Sequence, residues 1–327
     1  METVILDSED VTESTQIGEV IDAVEGAFGA YARGDTQMPA KSYIDLPQYN
    51  GDFRSMPAYI ETDEWDAAAI KWVNVHPDNP DAGLPTVMGT LIYSDPDTGF
   101  PLAVMDGTDL TRLRTGAAAA VATRYLARED ATSLGLVGAG VQAHSQLDAI
   151  SHVRDIERVV ISDLDDEVRA AFVEKYADDF NVEEGDITAA ATCDVVSTTT
   201  PVRDPIVHEV GEGTHVNAMG ADAEGKHEIA DEILQEATLV IDDYEQCTHS
   251  GEINVPWSGG VLDDEDLHGE IGDIVAGNLA GRTTDDEVTV FDSTGLAIQD
   301  VAAAHVVYED AVGEGVGTGV DMVGVSE

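Results

Sequence analysis

Residues 134–143 read LGLVGAGVQA, and this stretch is the most informative in the chain. Gly138, Gly140 and Ala143 form the pattern G-x-G-x-x-A directly after an apolar strand and at the start of a helix. The first glycine permits a tight turn, the second lets backbone approach a pyrophosphate, and the small third residue lets helix and strand pack closely. The helix N-terminus adds amide donors. Glycines also occur where a chain merely turns, so the flanking segments must support a dinucleotide site.

The flanking segments do support such a site. The next strand-like run, RVVISD, ends in Asp163, 20 residues after Ala143, where an acid that binds the ribose hydroxyls is expected. A negative charge there opposes a 2′-phosphate, so NAD is favoured over NADP. The alternative is that Asp163 is one more surface acid in an acid-rich chain.

From about residue 116 onward, strand-like runs such as SLGLVG, DVVSTTT, THVNAMG, TLVIDD and EVTVFDS alternate with helical runs. This alternation predicts an α/β fold with a doubly wound parallel sheet of the Rossmann type. The segments 196–200 and 217–220 lie where strands should end, and ligands of this fold bind outside the carboxyl ends of strands.

The first region has a different texture. Residues 14–33 have helical spacing, prolines interrupt residues 36–60 as in antiparallel strands, and DPDTG at 95–99 predicts a hairpin turn. A final apolar helix begins at LAIQD and can return to the first region. We therefore expect a discontinuous α/β domain of residues 1–116 and 297–327, and a dinucleotide-binding domain of residues 117–296.

The composition excludes several classes of partner. The chain has 66 acidic and 15 basic residues, a formal net charge of −51, which repels nucleic acid and anionic membranes. The acids are scattered, as in a solvated surface adapted to high salt, where molar salt shortens the screening length to ~3 Å. We expect a cytoplasmic protein of a halophilic cell with a small-molecule substrate.

Cysteine spacing and the N-terminus agree with that location. Cys193 and Cys247 lack C-x-x-C spacing, and the nine histidines lack ligand spacing, so we predict no disulfide and no metal. The opening METVILDSEDV has acids where a signal peptide needs basic residues, and no apolar run approaches the ~18–20 residues of a membrane span.

The scarce cations are the candidates for chemistry. Lys71 is one of four lysines and lies among Ile70, Trp72 and Val73, where desolvation would lower its pKa towards the range of a working acid. The alternative is a lysine whose stem packs in a sheet while its head reaches water. A carboxylate substrate needs cations to hold it, and a carbonyl or imine under reduction needs a donor near its heteroatom. The other cations of this region are Lys41, Arg54, Arg112 and Arg114.

An acid and several weaker signals complete the candidates. Asp222 follows the strand THVNAMGAD, where it could relay protons, although a loop acid is the simpler interpretation. Thr86 and Ser293 are each weak signals taken singly. His76 is close to Lys71 in sequence and could line the pocket, although a structural role is the simpler interpretation.

The chain resembles the ornithine cyclodeaminase/μ-crystallin family and, within it, the archaeal alanine dehydrogenase branch. The resemblance runs nearly end to end through FRSMPAYI, KWVNVHPDNPDAGLPT, LAVMDGTDLTRLRTGAAAAVA, GLVGAGVQA, VISDLD, HVNAMGAD and FDSTGLAIQD. It implies a nucleotide-binding domain, a second domain for substrate binding and dimerisation, NAD as cofactor and a homodimer.

The resemblance also implies roles for individual residues. It makes Lys71 and Asp222 catalytic, and Arg114 and Thr86 substrate-binding. Where family members usually have an arginine, this chain has Lys41, and Arg54 is the alternative second anchor for the carboxylate. The implied cofactor-binding residues are Thr115, Gly138, Ala139, Gly140, Val141, Gln142, Asp163, Thr198, Asn217, Met219 and Ser293.

Three functions follow from the resemblance. The first is NAD-dependent L-alanine dehydrogenase, which interconverts L-alanine with pyruvate and ammonia. The second is ornithine cyclodeaminase or a cyclic imino-acid reductase, which would use the same site. The third is a μ-crystallin-like protein that binds a nucleotide and a small ligand; Lys71, Arg114 and Asp222 count against it, because a pure binder needs no proton relay.

Overall fold

The computed structural model describes residues 2–13 and 15–324. The chain forms two compact units, a first unit of Met1–Arg114 with Leu296–Glu327 and a second unit of Thr115–Gly295. The first boundary lies two residues before the one expected at 116/117, and the second lies one residue before the one expected at 296/297. Ser14 of the predicted first helix, and Met1 and residues 325–327 of the predicted first domain, lie outside the described residues.

The described residues form the following strands and α-helices. The strands are β1 (Thr3–Leu6), β2 (Thr36–Gln37), β3 (Ser42–Leu46), β4 (Gly51–Glu61), β5 (Asp66–Val75), β6 (Val87–Ser94), β7 (Pro101–Asp106), β8 (Ser133–Val137), β9 (Arg158–Ser162), β10 (Asn181–Glu184), β11 (Val195–Thr198), β12 (His215–Ala218), β13 (Thr238–Ile241), β14 (Leu267–Glu270), β15 (Thr289–Asp292) and β16 (Thr318–Val320). The α-helices are α1 (Ser8–Glu13), α2 (Ile17–Arg33), α3 (Gly107–Leu126), α4 (Val141–Val153), α5 (Asp166–Tyr176), α6 (Ile187–Ala191), α7 (Asp231–Glu236), α8 (Tyr244–Ser250), α9 (Asn254–Ser258), α10 (Ile271–Val275) and α11 (Ala297–Glu314).

The first unit is a mixed sheet with helices on one face. Its strand order is β16–β1–β7–β6–β5–β4–β2, with β3 added to β4, and neighbouring strands from β4 to β7 are antiparallel. The antiparallel pairing of β6 with β7 confirms the hairpin predicted at residues 95–99. Helix α11 packs on α2 and on β4 and β5, so the last helix does return to the first region.

Alternation along β5 gives its two faces different roles. Ala69, Lys71 and Val73 are buried, whereas Ile70 and Trp72 between them are exposed. Successive side chains of a strand point to opposite faces, so Lys71 lies on the face that the helices cover. A lysine on the inner face of a sheet is unusual, because burying its charge is costly without a partner.

The second unit is a parallel sheet with the order β10–β9–β8–β11–β12–β15–β13–β14. The chain runs outward from β8 to β10 and returns to β11, so the order reverses between β8 and β11. This arrangement confirms the predicted doubly wound fold, and such a reversal is where ligands of open α/β sheets bind. Gly135 in β8 allows close packing of α6, since a Cβ there would lie 2.0 Å from the carbonyl oxygen of Ala190.

Helix α3 begins earlier than the sequence suggested. The run GAAAAVATRYLA, from residue 116, is by itself typical of a small-residue helix. Helix α3 nevertheless starts at Gly107, and the boundary between the two units falls within it. The carboxylate of Asp106 accepts the backbone N–H of Asp109 at 2.7 Å, as a helix cap does. Within the described residues, no helix is long and apolar enough to span a membrane.

Candidate active site

Lys71 lies at the centre of a buried ionic cluster in the first unit. Its side chain is 1% exposed, and Nζ donates to Asp300 Oδ1 at 2.6 Å and to Thr111 Oγ1 at 3.1 Å. The stem-buried, head-exposed alternative for this lysine is therefore wrong. Its partners come from α11 and α3, which pack a carboxylate and a hydroxyl against β5.

Arg114 shares the same carboxylate oxygen. Its Nε donates to Asp300 Oδ1 at 3.1 Å and its Nη1 to Gln299 Oε1 at 3.3 Å, and the residue is 8% exposed. The two cations that the sequence placed in one site thus meet at a single aspartate. We call Lys71, Arg114 and Asp300 the buried triad.

Burial changes the acidity of the triad lysine. It lowers the pKa of Lys71 from its ordinary 10.5 to about 7; Asp300 opposes this change, while Arg114 and then Lys41 add to it. Removing an ammonium from water disfavours its charged form, and neighbouring cations act in the same direction. The side chain can therefore gain or lose a proton near neutral pH, as a general acid or base requires.

The other predicted anchors differ in their surroundings. Lys41 precedes β3 and is half-buried, and its charge contributes to the low pKa of Lys71. Arg54 is 7% exposed, and its guanidinium forks onto Asp52 with Nε–Oδ1 and Nη2–Oδ2 distances of 2.8 and 3.1 Å. The carbonyl of half-buried Thr86 accepts the N–H of His76 at 2.8 Å and closes the loop between β5 and β6.

In the second unit, the glycine turn has the form that a phosphate site needs. Gly138 has φ +98°, a conformation that favours glycine, and a Cβ there would lie 3.0 Å from Thr199 Oγ1. Gly140 caps α4 without any side-chain hydrogen bond, and a Cβ at this position would meet no atom within 4 Å. Packing of the protein does not require glycine at 140, whereas close approach of an external group does. These features fit the pyrophosphate of a dinucleotide.

Asp163 directly follows β9 and hydrogen-bonds to the backbone of the glycine turn. Its Oδ2 accepts the N–H of Ala139 at 2.7 Å, and its Oδ1 accepts the N–H of Asp165 at 3.0 Å. Each carboxylate oxygen can accept a further hydrogen bond, so these contacts leave capacity for ribose hydroxyls.

Other predicted cofactor residues direct their side chains into the second unit itself. Thr198 Oγ1 donates to Glu228 at 2.7 Å, and Ser293 Oγ donates to Asp242 at 2.9 Å. Asn217 is fully buried, and its Nδ2 donates to Thr123 Oγ1 at 3.0 Å. A direct side-chain contact to a ligand is therefore least favoured at Asn217, which holds β12 against α3.

The remaining predicted residues are placed as follows. Thr115 is buried in α3 and its carbonyl accepts Gln146 Nε2 at 3.3 Å, whereas Val141, in the first turn of α4, is 56% exposed. Gln142 and Met219 are half-buried, the latter just after β12. Asp222 follows in the same loop and forms an ion pair with Lys226.

Sequence reasoning missed two acids that organise these sites. One is Asp300, although a signal existed, since it is the sole acid of residues 294–308. The other is Glu228, fully buried, which accepts the N–H of Thr200 at 2.7 Å and that of Gly220 at 3.1 Å, along with two threonine hydroxyls. It joins the loops after β11 and β12. Nothing in an acid-rich sequence distinguishes such a residue from a surface acid.

The side chains that could bind a metal ion are dispersed in the described part of the chain. Over residues 2–13 and 15–324, no three His, Cys, Asp or Glu side chains are grouped so as to hold a metal ion. Cys193 and Cys247 are both free and buried.

Comparison with known proteins agrees with this arrangement. The model of the ornithine cyclodeaminase/mu-crystallin family matches residues 1–315. Alanine dehydrogenase of Archaeoglobus fulgidus is 49% identical over 322 residues, which are 97% of this chain and 98% of that protein.

Solved structures agree as well. An archaeal alanine dehydrogenase dimer with bound NAD has a TM-score of 0.94 and 48% identity, covering 98% of this chain and 100% of that one. Thermococcus litoralis Δ(1)-pyrroline-2-carboxylate reductase, in complex with NADH and L-proline, has a TM-score of 0.93 and 36% identity, covering 97% and 100%. The chain belongs to the ornithine cyclodeaminase/μ-crystallin family.

Proposed function

We propose that the protein is an NAD-dependent L-alanine dehydrogenase, which converts L-alanine, NAD⁺ and water to pyruvate, ammonium, NADH and a proton. The observation that carries the proposal is the buried triad, in which a lysine of near-neutral pKa and an arginine meet at one carboxylate. The similarity to alanine dehydrogenases along the whole chain supports the choice of substrate.

NAD is the proposed cofactor. The open space at Gly140, the uncapped start of α4 and the spare acceptor capacity of Asp163 fit the pyrophosphate and the ribose. Bound NAD supplies the hydride acceptor, and NADH the donor, for this chemistry.

The residues of the first unit hold and polarise the substrate. Arg114 pairs with the carboxylate of pyruvate or alanine, because a guanidinium binds a carboxylate through several donors. We propose Lys41 as the second anchor, because its charge acts on Lys71 and therefore lies near the same site. Arg54 is the alternative.

Lys71 supplies the acid and base chemistry. In the amination direction, cationic Lys71 donates a hydrogen bond to the carbonyl oxygen of pyruvate and then a proton to the oxygen that leaves as water. In the deamination direction, neutral Lys71 accepts the proton from the water that adds to the imine carbon. Asp222, assigned from the family resemblance, relays protons as ammonia adds.

Reduction of a cyclic imino acid is the second candidate. The observation that favours it is the similarity to the Thermococcus litoralis reductase solved with NADH and L-proline. The same cations would hold the carboxylate of a pyrroline-2-carboxylate. This reaction consumes NADH without ammonia, so dependence of the rate on ammonia separates the two functions. Ornithine cyclodeamination needs, in addition, an acceptor for a distal ammonium group.

We propose a cytoplasmic homodimer that works in concentrated salt. On the outer sheet face of the first unit, Ile70 and Trp72 are 38% and 44% exposed, and Ile92, the cross-strand partner of Ile70, is 40% exposed. Phe53 stacks on Trp72 with 5.2 Å between ring centroids. A second copy would cover this apolar face, and the similar archaeal alanine dehydrogenase is a dimer. Sedimentation in molar KCl should give twice the chain mass.

The function is tested by initial rates with pyruvate, ammonium and NADH in molar KCl. We expect NADH oxidation that requires both pyruvate and ammonium and is far slower with ornithine-derived imino acids. Lys71→Ala should reduce kcat by at least ~100-fold, as expected for loss of a general acid. A loss of less than tenfold would exclude the role given to Lys71. Faster NADH oxidation when a cyclic imino acid replaces pyruvate and ammonium would favour the imino-acid reductase.

A further inference from the structure

We propose that Asp300 is a positioning residue that holds Lys71 and Arg114 in register and sets the pH at which Lys71 carries its charge. The inference rests on the proposed function for its consequence in catalysis. Its physical basis is the geometry of the first unit alone.

The geometry concentrates both cations on one atom. Asp300 Oδ1 accepts Lys71 Nζ at 2.6 Å and Arg114 Nε at 3.1 Å, and the aspartate is 1% exposed. Its Oδ2 is buried and has no hydrogen-bond partner in the described part of the chain. Both printed hydrogen bonds of the carboxylate thus go to a single oxygen, and this shared acceptor limits how far apart the two cationic groups can lie.

Apart from the Arg54–Asp52 pair on the same face of β4, the charged groups that act most strongly on Lys71 are one carboxylate and two cations. Asp300 comes from α11, Arg114 from α3 and Lys41 from the segment before β3. The cross-strand neighbours of Lys71 in β4 and β6 are Met56 and Leu91, which carry no charge. Asp300 is therefore the one group in this set whose charge favours the protonated lysine.

Arginine and lysine respond differently to loss of that carboxylate. A guanidinium keeps its charge in proteins, whereas a buried lysine readily gives up its proton. Without the charge of Asp300, Lys71 should therefore give up its proton at a lower pH. An opposite charge at this range shifts a pKa by ~1–3 units, so we expect Lys71 in Asp300→Asn to titrate at least ~1 unit lower.

This shift has a distinct kinetic signature. Amination needs cationic Lys71 and declines as the pH rises through its pKa, whereas deamination needs the neutral form and rises there. In Asp300→Asn, both the fall of the amination rate and the rise of the deamination rate should occur at lower pH. A purely structural role would instead lower the rates by the same factor at every pH.

The chain allows a direct measurement on the free protein. It has only four lysines, at positions 41, 71, 175 and 226, so selective ¹⁵Nζ labelling gives four signals, and Lys71→Met assigns the one of interest. We expect the Lys71 signal to titrate near pH 7 in the wild type and lower in Asp300→Asn. Glu309→Gln is the matched control, because it removes an exposed charge from the same helix.

The design allows for a variant that does not fold. Asp300→Asn could fail to fold because it leaves the charge of Arg114 buried without a partner. In that case the comparison is made between Arg114→Gln and the double variant Arg114→Gln/Asp300→Asn, because neither of them carries the charge of Arg114. The Lys71 signal should again titrate lower when Asp300 is replaced.

The outcomes separate the inference from the function. A lower Lys71 titration in the Asp300 variants, with Glu309→Gln unchanged, supports the inference even if alanine proves not to be the substrate. An unchanged Lys71 titration overturns it even if the wild type is an efficient alanine dehydrogenase. The inference is also overturned if both rates fall in Asp300→Asn while the pH at which each rate changes is the same as in the wild type.

Discussion

Replacement of Lys71 by methionine should change how the stability of the protein depends on pH. In the folded chain the pKa of Lys71 is about 7, and in the unfolded chain it returns to about 10.5. Between these values the unfolded chain binds a proton that the folded chain does not. The wild type therefore gains stability from this residue as the pH rises, and the gain is lost as the pH falls to the folded pKa.

The magnitude follows from the two pKa values. One pKa unit corresponds to about 1.4 kcal/mol, and between pH 7 and pH 9 the folded lysine loses its remaining proton while the unfolded one stays charged. The free energy of unfolding of the wild type should then rise by about 2 kcal/mol relative to Lys71→Met over this interval.

Urea unfolding in molar KCl at fixed protein concentration measures this difference. The control is Lys175→Met, at an exposed position of α5, where the difference from the wild type should not change between pH 7 and pH 9. A wild-type minus Lys71→Met difference that stays constant within about 0.5 kcal/mol would refute the reasoning, because it would mean that the ammonium is as well solvated in the fold as in water.

Three further predictions concern the second unit and the surface. Gly140→Ala should change the free energy of unfolding by less than about 1 kcal/mol, because its Cβ meets no atom within 4 Å and the loss of a favoured capping residue opposes the gain from a less flexible unfolded chain. It should weaken NADH binding at least ~10-fold in a fluorescence titration, and unchanged affinity would contradict the assigned pyrophosphate position. Glu228→Gln should destabilise the protein by about 1–3 kcal/mol, because its amide group would face the N–H of Thr200 or Gly220; a variant as stable as the wild type would contradict this. Dilution from 3 M to 0.1 M KCl should lower the melting temperature, since a net charge of −51 is then screened only beyond ~10 Å, and a constant melting temperature would argue against adaptation to salt.

Much of the fold was predictable because its signals are local. The strand β8, the glycine turn and helix α4 follow one another within residues 133–153, and each is recognisable from its own residues. The start of α3 was not, because its first turns, GTDLTRLR, are mostly polar and lie before the small-residue run.

The candidate site was only half predictable, for a physical reason. Burial of Lys71 could be inferred from its apolar neighbours, but its partner Asp300 is 229 positions away and is brought to it by tertiary packing. The pairing of Arg54 with Asp52 could have been predicted from the sequence. Asp52 lies two residues before Arg54 on β4, and residues two apart share one face of a strand. Because acids are so frequent in this chain, a buried acid such as Glu228 cannot be distinguished from a surface acid by sequence alone.

The stoichiometry of NADH and ammonia, with L-alanine and with L-ornithine as alternative substrates, tests the central claim most directly. If the buried triad serves a dehydrogenase, L-alanine should yield one NADH for each ammonia released, and L-ornithine should yield neither at a comparable rate. Release of ammonia from L-ornithine without accumulation of NADH, together with no reaction of L-alanine, would contradict the account.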